Sequence, residues 1–219
     1  MKKIRLSLFI WLLFLGRAVA GDAFVIDHYT IDIQVMPNNV YQVQEHLDVH
    51  FNAPRHGLYR TLPLRFGNRW AVVDDVSVKG APFIQARSGD ELTIKIGSED
   101  TTVTGPQVYD ISYRYDAGAD SRPDMDVFKH NIVGTGWNTD ILDVRFDIRM
   151  PKDFDAEQVA CTAGPLGSTD TKPVTWNVVG RRITGHTLTP LGPHEGLTVV
   201  LSLPEGYWKD ARSPQPPNA

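Results

Sequence analysis

A hydrophobic period of two, sustained from Tyr29 almost to the end of the chain, constrains the fold more than any other feature of this sequence. Tyr29, Ile31, Ile33 and Val35 share one side of an extended run, Thr30, Asp32 and Gln34 take the other, and Met36-Pro37-Asn38-Asn39 closes it. Val43, Leu47, Val49 and Phe51 repeat the pattern, as do Tyr109, Ile111, Tyr113 and Tyr115. In Leu142 to Met150 the reading places Leu142, Val144, Phe146, Ile148 and Met150 inward and Asp143, Arg145, Asp147 and Arg149 in water. Val72–Val78, Glu91–Ile96, Val174–Val178, Arg182–Thr187 and Leu197–Leu203 add further strands, each bounded by Gly, Pro, Asn or Ser. No long segment has a helical period. Strands with one wet and one apolar face must bury the latter against a second layer, so the expected fold is all-β, an antiparallel β-sandwich of immunoglobulin-like or related type. Asp116–Asp126 reads as an exposed loop, which would be the boundary if the chain folds as two packed β subdomains.

The first twenty residues carry a different message. Lys2, Lys3 and Arg5 precede the apolar run Leu6–Leu15, and Ala18-Val19-Ala20 offers the small-x-small pattern of a signal-peptide cleavage site. The apolar run is only about half of the ~20 residues that span a bilayer, which favours a cleaved leader over a retained anchor. The sequence thus divides into a signal peptide over 1–20, a β-sandwich domain over 21–207 and a Pro-rich tail or linker over 208–219, where Ser213, Pro214, Pro216 and Pro217 cannot pack. The expected location is exported, periplasmic or extracellular, with membrane attachment only through segments absent from this chain.

Composition narrows the function further. The 22 Lys and Arg against 26 Asp and Glu give a net charge of -4 with no basic cluster, which argues against nucleic acid as a partner. The single cysteine, Cys161, permits no internal disulfide and reads as a small buried hydrophobe. His46 and His50, four apart on a strand, lie ~13 Å from each other at ~3.3 Å per residue and cannot share a metal ion. No catalytic motif is present, so neither a cofactor nor an enzymatic role is expected.

Two features break the pattern. Glu45 falls on the inward face with Val43 and Leu47, and a buried carboxylate requires a partner; Arg60, flanked by Leu58 and Leu62, is the expected one, forming a structural ion pair. Asp124–Trp137 mixes acidic, aromatic and Gly residues. It reads either as a binding loop or as a loop whose Phe128, Ile132 and Trp137 plug the sandwich. The candidate binding residues are His56, Tyr59, Phe128, His130, Asn131 and Trp137. Trp70, Trp137, Trp176 and Trp208 would make a sugar platform only if exposed, and Trp176, alternating with Val174 and Val178, reads as core.

Several segments together resemble a known family. They are Glu45 in its strand, Phe51, His56-Gly57-Leu58-Tyr59-Arg60-Thr61-Leu62-Pro63, Tyr109-Asp110-Ile111-Ser112-Tyr113, His130-Asn131-Ile132-Val133-Gly134-Thr135-Gly136-Trp137 and Leu203-Pro204-Glu205-Gly206. From about Val25 to Tyr207 the chain resembles the N-terminal domain of the YciQ-like predicted membrane proteins of bacteria, a domain of unknown function. The resemblance implies an extracytoplasmic all-β domain that in relatives follows a signal peptide and precedes transmembrane helices. Lys129-His130 departs from it, since relatives tend to carry an aromatic pair there. No catalytic residue comes with the family. The expectation is a non-enzymatic interaction module that binds an envelope protein or envelope component. The alternatives are a carbohydrate-active or other hydrolase with an unannounced acidic site, and a structural spacer.

Overall fold

A computed structural model describes residues 23–66, 69–120 and 122–212; the leader reading of residues 1–20 lies outside them. The strands are β1 (Phe24–Val35), β2 (Val40–Arg55), β3 (Leu58–Pro63), β4 (Arg65–Phe66), β5 (Arg69–Trp70), β6 (Val72–Lys79), β7 (Phe83–Ser88), β8 (Glu91–Ile96), β9 (Val103–Asp116), β10 (Met125–Val133), β11 (Ile141–Arg149), β12 (Val159–Pro165), β13 (Val174–Val179), β14 (Arg182–Thr187) and β15 (Glu195–Pro204). Among the described residues a single 3-10 turn, Ala156–Gln158, capped by the Asp155 carboxylate, interrupts them.

Seven strands form one sheet in the order β13-β14-β11-β1-β2-β9-β6, faced by the three-stranded sheets β10-β15-β12 and β3-β8-β7. The architecture is the expected sandwich with one correction: β1 and β11 are parallel. Sequence neighbours joined by tight turns must pair antiparallel, whereas these two are separated by most of the domain and are free to run the same way. The division into two subdomains does not occur. Strands from both halves of the chain share the large sheet, and one continuous apolar core joins all the layers. The Asp116–Asp126 segment is pinned rather than free: the Asn39 amide donates to the Gly118 carbonyl at 2.6 Å, and the buried Asp120 carboxylate accepts the Val127 N–H.

Alternation sorts the large sheet as its sequence requires, with Ile31, Ile33, Val43, Leu47, Ile111 and Ile148 buried on one face. Leu142 is a second correction. It is 45% exposed and Ile141 is buried in its place. The cause lies in β1, where a bulge between Ile26 and His28 turns both Ile26 and Tyr29 inward. Pairing Ile26 with Ile141 and Tyr29 with Val144 imposes the same three-residue step on β11. At the other end, Trp208 is buried, its backbone N–H donates to the Asp126 carboxylate at 2.9 Å, and Ala211 also packs on the core; Ser213, Pro214, Pro216 and Pro217 of the expected tail lie outside the described residues.

Candidate functional site

Glu45 lies in the middle of the large sheet, between Ile31 of β1 and Ile111 of β9, with 1% of its surface exposed. Arg60 reaches it from β3 in the facing sheet. Its Nε and Nη2 both donate to the carboxylate, with contacts at 2.8 Å, while Nη1 donates to the Thr61 carbonyl. Two tyrosines complete the cage: the hydroxyls of Tyr29 and Tyr113 donate to Oε2 and Oε1, each at 2.6 Å. Both lie two residues along the neighbouring strands from Glu45's own partners, the diagonal reach of a long side chain across a sheet. Burial by itself would raise the Glu45 carboxyl, but the Arg60 charge and the donated hydrogen bonds outweigh it and hold the group below its ordinary range. Such a carboxylate is a fixed anion in a dry core, unsuited to proton transfer. The tyrosine partners escaped sequence reading because their rings counted as apolar pattern residues.

Asp124–Trp137 is not a loop: most of it is β10, and the binding-loop reading of its residues is corrected accordingly. Phe128 is fully buried against Tyr41, Trp137 is 4% exposed and meets Tyr29 edge-on, and Asn131, half-buried, accepts the Thr198 hydroxyl. His130, also buried, fits edge-to-face against the stacked rings of Tyr41 and Tyr115, and neither of its ring nitrogens has a hydrogen-bond partner. Burial and the nearby Arg60 charge lower its pKa to about 4, so it is neutral at physiological pH. The tryptophans make no platform either: Trp137 and Trp208 are buried, and Trp70 and Trp176 are half-buried, the latter less enclosed than expected. Cys161 is buried with its thiol pushed up to about 12, a core residue in its chemistry.

The remaining candidates do converge. Tyr59 is 60% exposed, on the face of β3 opposite Arg60, and with His56 it borders a cleft of about 560 Å³. Phe24, Pro54 and Trp137 contribute apolar lining, Arg55 and Lys95 supply cations, the latter paired with Glu99, and Asn138 adds a polar amide. At one wall of the cleft two backbones touch. Gly57 and Gly97 sit at φ 121° and 125°, and a Cβ on Gly57 would lie 1.8 Å from the Ile96 carbonyl oxygen. That crossing brings the His56 Nδ1 within 3.2 Å of the Ser98 carbonyl and 3.1 Å of the Thr101 carbonyl. Carbonyls only accept, so Nδ1 carries a proton. On the opposite wall the turn holding Trp137 is tied by the His194 N–H, which donates to the Trp137 carbonyl.

No carboxylate lines this cleft. Across the described residues, the carboxyls displaced from their ordinary range, Glu45, Glu99, Asp124 and Asp143, are all displaced downward, whereas a glycosidase-type acid must be displaced upward. The described residues contain no cluster of three or more His, Cys, Asp or Glu able to hold a metal ion. None of their helices is long and apolar enough to cross a membrane.

Residues 25–203 match the N-terminal domain of a family of predicted membrane proteins, DUF2207. The chain belongs to this family. The match runs from β1 to the end of β15 and therefore includes both the buried cage and the Tyr59 cleft. The family's N-terminal domain is one of unknown function. No curated protein matches the sequence. Among solved structures, the chain is similar to an M1 zinc metallopeptidase from Deinococcus radiodurans, at 12% identity and a TM-score of 0.39, over 81% of this chain and 42% of that one. It is also similar to native yeast LTA4 hydrolase, at 10% identity and a TM-score of 0.45, over 81% of this chain and 29% of that one. The chain thus spans less than half the length of these structures, and likenesses so distant carry no argument about chemistry.

Proposed function

We propose that the chain is an exported, non-enzymatic binding module of the bacterial cell envelope, which holds an envelope protein or other envelope component in the Tyr59 cleft. Its attachment to the membrane is supplied by segments outside the described residues. One observation carries the reading: a tyrosine ring stands largely in solvent on a strand, over a cleft that offers aromatic surface and the cations of Arg55 and Lys95, the latter shared with Glu99. Aromatic rings on fixed backbone bury much area at little entropic cost, and cations beside them select an apolar segment carrying a carboxylate or another anionic group. Membership in a family of predicted membrane proteins agrees with an envelope setting.

The test uses Tyr59→Ser, because Tyr59 is exposed and its loss leaves the core intact, whereas truncating the buried Trp137 would disturb the fold. Crosslinking and capture from the protein's own envelope should recover a partner with the parent chain and lose it with Tyr59→Ser. Equal recovery by both chains overturns the assignment of the cleft, and recovery by neither favours the spacer reading.

A further inference from the structure

One end of the large sheet is built differently from the rest. Its last complete cross-strand row reads Val179, Arg182, Arg149, Gln34, Gln42, Arg114 and Asp74 from β13 to β6. Beyond it project the β1–β2 turn, starting at Met36, and the β13–β14 turn, which carries Arg181. Between these turns lies a cleft of about 550 Å³ lined by Arg149, Arg181 and Arg182, with Met36, Pro37 and Met150 as its apolar part and no carboxylate among the lining residues. The three arginine side chains are each about half exposed, at 50, 57 and 54%. Asp147 braces Arg149 and Arg182 from the side, and Arg181 is positioned by the Pro151 carbonyl at 2.9 Å, with Asp153 at 3.7 Å. Two of the larger apolar side chains left in solvent flank this cluster, Met36 at 39% and Val179 at 68%.

We propose that this end of the sandwich docks on an anionic phospholipid surface, the arginine cleft taking a headgroup phosphate while Met36 and Val179 enter the boundary below the headgroups. Guanidinium forks match phosphate oxygens in pairs. Arg149 and Arg182 share the Asp147 carboxylate and Arg181 lies 3.7 Å from Asp153, so three cations meet two acids and the cluster keeps an excess positive charge that a phosphate would share with these carboxylates. The flanking apolar tips decide between sources of phosphate: they gain nothing from a free ion and lose exposed area at a bilayer. The fold provides continuity as well. After β15 the chain turns through Tyr207, whose hydroxyl donates to the Lys152 carbonyl at 2.7 Å, so this turn packs beside Pro151 in the cleft lining, and the family to which the chain belongs is one of predicted membrane proteins. The inference is independent of the Tyr59 cleft.

Net charge makes the test discriminating: the full sequence carries -4, and residues 1–20 hold four cations, Lys2, Lys3, Arg5 and Arg17, and no acid, so the exported protein without them carries -8 and is repelled as a whole by an anionic surface. Protein purified after export through its own leader is sedimented with phosphatidylglycerol vesicles and, separately, with phosphatidylcholine vesicles at low salt. Partition should favour phosphatidylglycerol by about tenfold or more and weaken as salt is raised. Arg181→Gln with Arg182→Gln should lose about tenfold, while Met36→Ser with Val179→Ser should lower binding to phosphatidylglycerol by a part that salt does not change. All four positions are exposed, and unchanged thermal unfolding verifies that each variant folds. Equal partition onto both lipids, or undiminished binding by the arginine variant, overturns the proposal. Displacement by inorganic phosphate at constant ionic strength does so too, because it identifies a free-ion site.

Discussion

Glu45 and its donors show how a single buried charge sets the terms for its neighbours. Removing Arg60 leaves a carboxylate in the core without its counter-ion, so Arg60→Met should cost about 3 to 5 kcal/mol, read as a fall in the urea midpoint. Replacing both members of the pair should not restore stability fully, because the hydroxyls of Tyr29 and Tyr113 then lose their acceptor at about 1 to 3 kcal/mol each. Recovery is expected only when Glu45→Leu and Arg60→Met are joined by Tyr29→Phe and Tyr113→Phe. His130 sets a separate prediction. The unfolded imidazole binds a proton below its ordinary 6.5, whereas the buried ring resists until about 4, so acid favours the unfolded chain. Stability should therefore decline as pH falls from about 6.5 to about 4, by on the order of 3 kcal/mol. His130→Phe should flatten that part of the pH–stability curve. Glu45, held below its ordinary value of 4.5, contributes stability present above that pH and lost below it, so its loss lies at the acid side of the histidine window.

Among the strands, legibility followed how apolar the inward residues are. β8 and β14 coincide with their expected limits because Leu92, Ile94 and Ile96, or Ile183 beside polar neighbours, leave no doubt about the face. In β10 the inward residues are Asp126, Phe128, His130 and Ile132, and two polar members in four disguise a strand as a loop. β12 turns Val159, Cys161 and Ala163 inward, small groups that give alternation little contrast. The Glu45–Arg60 pair was legible because each stood out against apolar neighbours, and the Tyr59 cleft was half legible: the segments carrying Tyr59 and Trp137 were both named, but the Gly57–Gly97 crossing that sets β8 beside His56 had no signal in the sequence. The step in β11 could not be read at all, since its cause is a bulge in another strand. It makes a prediction of its own. Leu142→Ser should change stability by less than about 0.5 kcal/mol, whereas Ile141→Ala should cost about 2 to 5 kcal/mol, the reverse of what alternation implies. Thermal unfolding of the two variants measures the difference.

Taken as a whole, the molecule combines a core locked by a buried ion pair with two separate clefts, one beside Tyr59 and one at the arginine-rich end of the large sheet. Its centre is β1, flanked by β2 on one side and by β11 on the other. The partnership with β11 joins residues as far apart as His28 and Asp143, 115 positions along the chain. Because synthesis runs from the N-terminus, β1 therefore keeps one margin bare until that distant segment arrives. In that interval the protein's chief hazard is aggregation, and a chaperone that shields the bare strand would serve it better than one that merely hastens collapse.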